Sequence, residues 1–280
     1  MKKILITGAN SYIGTSFQKF IEPHRHEYEI DIVDLIDDNW RQHDFSIYDA
    51  IFHVAAIVHQ KETKENRQLY YDVNRDLTLQ IAQKAKEDGV RQFVFLSTMS
   101  VYGKRIGIIT KNTPALPKTH YGRSKLEAEI QLHKIENEHF FASIVRAPMV
   151  YGKGCKGNFQ SVCKLVKKFP FFPKIKNQRS LIYIDNLSSF VKMIIDEQLP
   201  GTFMPQDRSF TETSEMAKTI ASTMGKSLHM SAILGFLVAV LMPVVPMLQK
   251  AFGNLVYENT EDFDFSYCLL DTHECYRKSV

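Results

Sequence analysis

The sequence is poor in the residues that build disulfide-stapled or metal-binding folds. Its 280 residues contain only four cysteines, Cys155, Cys163, Cys268 and Cys275, with no Cys-x-x-Cys pair and no histidine spacing suited to zinc. This pattern predicts neither a disulfide framework nor a metal site. It is typical of a protein of the reducing cytoplasm.

A strong charge of one sign is also lacking. The 35 lysines and arginines are interspersed with 31 carboxylates, for a net charge of +4. Because the cations do not gather in a stripe, the sequence excludes nucleic acid as an expected partner. With 44% hydrophobic residues and no internal repeat, the chain can bury a sizeable core. We expect one large domain, or one with a smaller lobe.

Short apolar runs alternate with amphipathic stretches through the first half of the chain. The apolar runs predict strands at residues 4–7, 30–35, 50–55, 92–97 and 141–146. The amphipathic stretches predict helices at residues 15–22, 77–85 and 125–135. The alternation is typical of a parallel sheet wrapped by helices, so we expect an α/β, doubly wound fold. The interval from Asp34 to Asp49 is about half the length of a full strand-helix-strand unit, which predicts a missing crossover helix.

A turn bracketed by Gly8 and Gly14 follows the first predicted strand and opens a helix. In this geometry unpaired backbone N–H groups and the helix dipole can hold the pyrophosphate of a dinucleotide. Gly8 permits the tight turn, and Gly14 permits close packing of the helix on the strand. By themselves, two spaced glycines fit an ordinary strand-to-helix turn equally well.

Asp34 ends the second predicted strand, about twenty residues beyond Gly14. A carboxylate at this place can accept hydrogen bonds from both ribose hydroxyls of NAD and repels the 2′-phosphate of NADP. The position therefore favours NAD as the cofactor. Two alternatives stay open: Arg41 could serve the phosphate of NADP, and Asp34 could be a solvated loop residue.

Tyr121 and Lys125 stand four residues apart on a predicted helix, so they share one face. A nearby ammonium stabilises a phenolate and lowers the tyrosine pKa from about 10, which predicts a general acid/base usable near neutral pH. Thr98 ends a predicted buried strand, where open α/β sheets present ligand groups. Its hydroxyl can donate to a carbonyl oxygen. Each feature alone also fits a surface pair or a turn.

Five motifs occur in order between residue 1 and about residue 190. They are Thr7-Gly8 to Gly14, His53-Val-Ala-Ala56, Tyr70-Tyr-Asp-Val-Asn74, Ser97-Thr98 to Tyr102-Gly103, and Tyr121 to Lys125. Together they resemble the extended short-chain dehydrogenase/reductase family, specifically its nucleotide-sugar epimerases and 4-ketoreductases. The resemblance implies a Rossmann fold, bound NAD or NADP, and a nucleotide-sugar substrate. We expect the nucleotide of that substrate to be UDP. A homodimer is one expectation for its assembly.

The resemblance also assigns residues to roles. It implies Thr98, Tyr121 and Lys125 as the catalytic set. Cofactor contacts are implied along the turn, adenine, ribose and nicotinamide, at Gly8, Asn10, Ser11, Tyr12, Ile13, Gly14, Asp34, Asp44, Phe45, Ala55, Ala56, Asn74, Tyr121, Lys125 and Pro148. Substrate contacts are implied at Thr98, Asn158 and Arg179. The planar guanidinium of Arg179 would suit a substrate diphosphate.

Two departures from the family pattern bear on function. Ser11 stands where the family has the middle glycine of the turn, and it fits if its side chain points away from the phosphates. Met99 and Ser100 stand where the 4,6-dehydratases of the family carry an Asp-Glu pair, which disfavours dehydration.

The expected organisation is a dinucleotide-binding domain at residues 1–150, to which residues 180–195 return, and a smaller, mostly helical substrate lobe at residues 151–280. Within the lobe, residues 230–248 carry no charge and contain Pro243 and Pro246. We expect this segment to form a buried helix of the lobe. The alternative is contact with a membrane surface, which would suit a cytoplasmic enzyme whose substrate is carried on a lipid diphosphate.

The predicted reaction is 4-epimerisation of a nucleotide sugar by transient oxidation at C4 with bound NAD, in the synthesis of cell-surface polysaccharide sugars. Reduction of a 4-keto sugar by NADH or NADPH is the alternative, because it requires the same acid/base residues. A dinucleotide sensor without catalysis is a second alternative. It is disfavoured because Thr98, Tyr121 and Lys125 are all present.

Overall fold

The computed structural model describes residues 1–58, 62–259 and 264–280. These residues form two compact units. The first unit comprises residues 1–103, 115–147 and 187–205, and the second comprises residues 104–114, 148–186 and 206–280.

The described residues contain twelve strands and ten α-helices. The strands are β1 (Lys2–Thr7), β2 (Tyr28–Val33), β3 (Ala50–His53), β4 (Gln92–Thr98), β5 (Gly107–Ile109), β6 (Phe141–Ala147), β7 (Met149–Tyr151), β8 (Phe171–Pro173), β9 (Leu181–Tyr183), β10 (Gly201–Phe203), β11 (His229–Ser231) and β12 (Leu255–Tyr257). The helices are α1 (Tyr12–Ile21), α2 (Arg67–Tyr71), α3 (Thr78–Glu87), α4 (His120–Ile135), α5 (Asn158–Lys168), α6 (Ile184–Asp196), α7 (Thr213–Thr223), α8 (Ala232–Leu241), α9 (Pro246–Phe252) and α10 (Thr272–Lys278). A π-helical turn at Asp72–Leu77 joins α2 to α3.

The first unit is built on a parallel sheet, with the order β10-β6-β4-β3-β1-β2 among the described strands. Alternate side chains point to opposite faces of the sheet. Leu5, Ile51 and Phe93 pack in a core cluster with residues of α3 and α4. On the other face, Phe52 meets Phe17 of α1 with ring centroids 5.1 Å apart. This arrangement confirms the α/β, doubly wound class.

The interval between β2 and β3 contains a 3₁₀ turn at Asp38–Gln42 and no α-helix. Every residue of this interval lies in the described part of the chain. The side chains of Trp40, Phe45 and Tyr48 belong to the core cluster and are almost fully buried. These three aromatic side chains therefore cover the core in an interval too short for a helical crossover.

The second unit contains three parallel strand pairs within its described residues: β7 with β9, β5 with β12, and β8 with β11. Its core holds the Asp207 carboxylate, which accepts hydrogen bonds from the Tyr151 hydroxyl at 2.7 Å and the Tyr183 backbone N–H at 3.0 Å. Burial raises the pKa of Asp207. The four cysteines lie in described residues and are free thiols.

The apolar segment of residues 230–248 does not form the buried helix that the sequence predicts. The helix α8 ends at Leu241, two residues before Pro243, because a proline lacks the N–H that continues a helix. The next helix, α9, begins at Pro246. Gly235 is the buried residue of α8, whereas Ile233 is 76% exposed and Phe236 is 68% exposed. The expectation of burial is therefore wrong. Across the described residues, no helix combines the length and apolar character needed to cross a membrane.

Candidate active site

The turn between β1 and α1 has the shape of an anion cradle. Gly8 has φ of 109°, and a Cβ added there would come within 2.9 Å of the Ala55 backbone. A side chain at Gly14 would meet Ile6 at 3.0 Å, so a glycine lets α1 lie close to β1. The N–H groups of Tyr12 and Ile13 belong to the first helical turn, where a helix offers no acceptor of its own. The cradle fits a pyrophosphate.

Ser11 takes the role of the helix N-cap. Its hydroxyl oxygen accepts a hydrogen bond from the Gly14 N–H at 3.1 Å, so the side chain is turned back onto α1. Asn10, before it, adopts φ of 60°, the left-handed region that asparagine tolerates better than most residues. The serine in place of the family's glycine is therefore compatible with the cradle.

Asp34 lies directly after β2, and its exposed carboxylate accepts a hydrogen bond from the Ile36 N–H at 3.1 Å. The Gly8 N–H donates to the Val33 carbonyl at 3.1 Å, which ties the end of β2 to the turn between β1 and α1. Arg41 is directed elsewhere, because it donates to Asp38 at 3.0 Å and to Gln80 at 2.7 Å. Asp34 thus stands exposed at the end of β2, whereas the Arg41 guanidinium is held by Asp38 and Gln80.

The residues assigned to the adenine differ in accessibility. Asp44 is exposed, and the hydrogen bond from Ser46 holds the pKa of its carboxyl below the usual value. The Phe45 ring is fully buried in the core cluster, with the Lys84 ammonium 4.8 Å from its centroid. Asp44 therefore faces solvent, whereas Phe45 faces the core.

Asn74 is fully buried in the π-helical turn and joins two parts of the site. Its side-chain oxygen accepts from the Ile57 N–H at 2.8 Å, just beyond Ala55 and Ala56. Its amide donates to the Ser124 hydroxyl of α4 at 3.2 Å. Asn74 therefore fixes the loop after β3 to the helix that carries Tyr121.

His53, from the same motif as Ala55, is fully buried and bridges two threonine hydroxyls. Its Nδ1 lies 2.6 Å from Thr7 Oγ1, and its Nε2 lies 2.9 Å from Thr78 Oγ1. Thr78 donates its own proton to the Asn74 carbonyl, so Nε2 carries the ring proton and donates to Thr78. Burial lowers the pKa of His53 to about 3, and the neutral ring serves as a structural link.

The structure brings Thr98, Tyr121 and Lys125 together where β4 ends against the start of α4. A Cβ on Gly122 would stand 2.8 Å from the Ser100 carbonyl, so this glycine lets α4 approach the turn after β4. Thr98 ends β4, and its side chain forms a hydrogen bond with the Tyr121 side chain. Lys125 follows one turn further along α4.

The pKa of Tyr121 departs from the prediction. Burial raises the pKa of the phenol to about 12, and the hydrogen bond with Thr98 opposes this rise only in part. The sequence predicts a lowered pKa for Tyr121. In the protein without cofactor or substrate, that prediction is wrong. The Lys125 ammonium, one helical turn away, is not among the groups that shift this pKa, and it donates to the Leu96 carbonyl at 2.9 Å.

Lys125 is itself strongly perturbed. The side chain is 1% exposed, and its ammonium lies 4.3 Å from the centroid of the Phe95 ring. Burial lowers the pKa of Lys125 to about 7, with the negative charge of Glu129 acting in the opposite direction. A buried lysine that exchanges its proton near neutrality is typical of a catalytic site.

We expect Lys125→Met to stabilise the fold by about 1–2 kcal/mol at neutral pH while abolishing activity. The folded-state pKa of about 7 lies below the ordinary 10.5, so between these values the unfolded chain binds the extra proton. The burial of Lys125 therefore lowers the free energy of unfolding by its full amount below about pH 7, and by less and less as the pH rises toward 10.5. Thermal unfolding of both proteins across this interval should show the gap in stability closing with pH. A variant less stable than the wild type at neutral pH would contradict this.

Glu129 was not identified from the sequence, although it continues the four-residue spacing of Tyr121 and Lys125 along α4. Its side chain is 2% exposed, and its carboxylate accepts hydrogen bonds from two nitrogen atoms of Arg146 of β6, the shortest at 2.6 Å. The Ser97 hydroxyl of β4 also donates to it. Glu129 thus fastens the helix of the site to the neighbouring strands β4 and β6.

Glu62 was also not identified, and no motif in the sequence pointed to it. Its carboxylate accepts hydrogen bonds from the backbone N–H groups of His120 and Tyr121, each at 3.1 Å. Thr119 completes the cap by accepting from the Gly122 N–H at 3.0 Å. The start of α4, and with it the backbone of Tyr121, is held by these two side chains.

The remaining predicted site residues belong to the second unit. Pro148 follows β6, and Asn158 begins α5. Arg179 is paired through its backbone with Thr211, and its guanidinium donates to the Gly253 carbonyl at 2.9 Å. Burial lowers the pKa of Arg179 to about 10, and no carboxylate of the described residues forms an ion pair with it.

Two characterised proteins with similar sequences are named as 4-epimerases. UDP-glucose 4-epimerase from Vibrio cholerae is 31% identical over 251 residues, which cover 80% of this chain and 76% of that protein. N-acetyl-alpha-D-glucosaminyl-diphospho-ditrans,octacis-undecaprenol 4-epimerase from Escherichia coli O157:H7 is 25% identical over 256 residues, which cover 84% of this chain and 77% of that protein.

Solved structures share the fold. UDP-glucuronic acid 4-epimerase from Bacillus cereus, in complex with NAD, superposes with a TM-score of 0.75 at 19% identity and covers 99% of this chain and 94% of its own. A dTDP-4-dehydrorhamnose reductase from Bacillus anthracis, in complex with NADP, gives 0.66 at 24% identity over 82% and 84%. The model of the NAD dependent epimerase/dehydratase family matches residues 4–203, well over half of the chain. The resemblance indicated by the five motifs is therefore confirmed, and the chain belongs to the NAD dependent epimerase/dehydratase family.

Proposed function

We propose that this protein is a 4-epimerase of a diphosphate-linked sugar, in the first instance a UDP-sugar, acting with bound NAD in the synthesis of cell-surface polysaccharide sugars. The observation that carries the proposal is the group of Thr98, Tyr121 and Lys125 at the carboxyl end of β4, in which Thr98 and Lys125 are buried and Tyr121 is partly exposed. Relatives named as 4-epimerases support the reaction at C4.

The cradle between β1 and α1 fits a dinucleotide, and its geometry suggests which residues would contact each part of that cofactor. The amides of Tyr12 and Ile13 would hold the pyrophosphate, and Asp34 would accept from the ribose hydroxyls. When bound, NAD supplies a hydride acceptor for the sugar C4 and a positively charged ring that favours the phenolate of Tyr121. Asn74 and Ser124 keep the loop after β3 and α4 in a fixed relation around this place.

Tyr121 moves the proton in this reaction. As C4 is oxidised, the phenolate oxygen accepts the proton of the sugar 4-hydroxyl, and it returns that proton when C4 is reduced from the opposite face. Thr98 donates a hydrogen bond to the same sugar oxygen by turning its hydroxyl from the Ser100 hydroxyl, to which it donates at 3.2 Å, toward the Tyr121 side chain beside it. Lys125 supplies positive charge one helical turn away.

Arg179 is the proposed ligand of the substrate diphosphate. A cation that is largely buried and has a backbone carbonyl as its acceptor lacks the opposite charge that would offset its desolvation. A diphosphate would supply that charge and could accept from the guanidinium in bidentate fashion.

Arg179→Lys is expected to raise KM for a UDP-sugar about tenfold to a hundredfold and to lower kcat much less. An ammonium replaces the planar fork by a point charge, and hydrogen bonds to charged groups contribute roughly 1.5–3 kcal/mol each. Steady-state kinetics measure both constants. The matched control is Arg208→Lys, an exposed arginine of the same unit that donates to the Phe265 carbonyl. Equal KM values for both variants would remove Arg179 from the substrate site.

The proposed function is tested by incubating the purified protein with a panel of UDP-sugars, with and without added NADH, and resolving the products. An epimerase interconverts two UDP-sugars without added NADH, because the hydride returns to the sugar. Consumption of NADH with a 4-keto sugar, and no interconversion, would identify a reductase. A second arm with polyprenyl-diphosphate N-acetylglucosamine tests a lipid carrier, which the Escherichia coli relative's name specifies for that protein.

A further inference from the structure

The second unit carries an exposed apolar face on α8 and the segment after it. Its residues are Ile233, Phe236, Leu237, Val240, Leu241, Val244 and Met247, each between 48% and 76% exposed. A surface helix ordinarily turns its apolar stripe toward the core. On this helix the apolar side chains point away from the unit, and they form a contiguous patch of the kind that marks an interaction surface.

The attachment of α8 explains why these side chains face outward. The helix touches the unit along Gly235, where an added Cβ would stand 2.2 Å from the Lys174 carbonyl. Ser231 caps its first turn by accepting from the Leu234 N–H at 3.2 Å, directly after β11 pairs with β8. The face of α8 that packs closely against the unit thus contains Gly235. The larger apolar side chains of the helix lie on its other faces.

The two chain segments that carry α8, α9 and β8 contain lysines and arginines and no carboxylate, and Glu215 of the neighbouring α7 is paired with Lys218. Residues 151–184 contain eight lysines and arginines without one aspartate or glutamate, and residues 224–257 contain two lysines and again no carboxylate. Lys174 lies under Gly235, Lys250 lies on α9, and the Lys226 ammonium donates to the Lys167 carbonyl. In the part of the chain that the structure describes, the lysines with ion pairs all lie outside these two segments.

The lysines are accompanied by exposed aromatic side chains. Phe169 is 48% exposed and Phe171 is 57% exposed, at the end of α5 and the start of β8. The Lys168 ammonium lies 5.4 Å from the centroid of the Phe169 ring. Apolar side chains beside a basic rim are the composition of a surface that enters the boundary between lipid headgroups and acyl chains.

We propose that the apolar face of α8 binds the surface of an anionic lipid bilayer. The ten residues of α8 span about 15 Å, half of the roughly 30 Å of a hydrocarbon core, so the helix lies in the plane of the surface. A second copy of this chain is a poorer occupant, because a twofold contact would bring the same uncompensated lysines together. The lysines instead complement the negative headgroups of the bilayer.

The test is flotation of the full chain with phosphatidylcholine vesicles that contain phosphatidylglycerol, beside vesicles of phosphatidylcholine alone. We expect the protein to float with the anionic vesicles and much less with the neutral ones. In the double variant Phe236→Ser, Val240→Ser, the partition coefficient should fall at least about tenfold, because two large apolar side chains no longer leave water. Both positions are exposed, so the fold should persist, which circular dichroism checks.

The matched control is Ile47→Ser, Ile130→Ser, which removes two apolar side chains of 50% and 47% exposure from the first unit. It should float as the wild type does. The proposal is overturned if the wild type stays at the bottom with anionic vesicles, or if both double variants float equally. It is also overturned if the wild type does not float and forms a dimer that the α8 variant dissociates. Flotation needs no turnover, so its outcome is independent of the proposed reaction.

Discussion

Tyr121→Phe is expected to lower turnover about a hundredfold to ten-thousandfold, the usual contribution of general acid/base catalysis, while the fold and cofactor affinity are retained. The substitution removes one oxygen at the point of proton transfer and keeps the ring, which packs edge-on against Tyr70 at 6.5 Å. Thr98 cannot take over, because a threonine hydroxyl has no suitable pKa. Initial rates with saturating UDP-sugar give the loss, and a melting curve shows whether the fold is intact.

The control for this variant is Tyr71→Phe. That phenol also lies beside the start of α4, where its oxygen is 3.1 Å from His120 Nδ1, and it takes no part in the proposed proton transfer. Its removal should leave turnover nearly unchanged. If Tyr121→Phe retains activity within a factor of a few of the wild type, the assignment of Tyr121 as acid/base is wrong.

The second large effect is on stability: Glu129→Gln should lower the free energy of unfolding by about 3–5 kcal/mol, since it leaves a largely buried arginine without its counter-ion. In the wild type, Arg146 donates to Glu129 through two nitrogen atoms and to the Tyr102 hydroxyl at 2.7 Å. A neutral amide cannot balance the charge and cannot accept the same set of hydrogen bonds. Urea unfolding at neutral pH measures the change.

Glu127→Gln offers a matched control two residues away on the same helix. Glu127 also pairs with an arginine, Arg75, at 2.7 Å, but its side chain is 43% exposed, against 2% for Glu129. An exposed ion pair contributes about 0–1 kcal/mol. Similar losses in the two variants would mean that the pair of Glu129 and Arg146 contributes no more than a surface pair.

The sequence determined the sheet and the glycine turn between β1 and α1 because both are local patterns. Apolar runs at strand length, separated by amphipathic stretches, predict β1, β2, β3, β4 and β6, and the structure has all five in one parallel sheet. The edge strand β10 was not predicted. It has three residues, too few for a periodicity to be recognised, and it exists because Thr202 and its neighbours pair with β6.

The spacing of Tyr121 and Lys125 likewise placed them on one helical face, which the course of α4 bears out. Spacing could not predict the direction of the Tyr121 pKa shift. That direction depends on how much water the fold removes from the phenol and on which groups the fold places beside it, here Thr98 and Tyr70. Both are set by packing between elements that lie far apart in the chain.

The same distinction applies to residues 230–248. The sequence alone determined that the segment is uncharged and is interrupted by prolines, and these properties follow directly from its composition. Whether a helix of that composition is buried depends on what the rest of the chain places against it. Here the tertiary structure places the backbone of Lys174 against Gly235 and leaves Ile233 and Phe236 exposed. Periodicity shows which side chains are apolar, whereas only the fold decides what covers them.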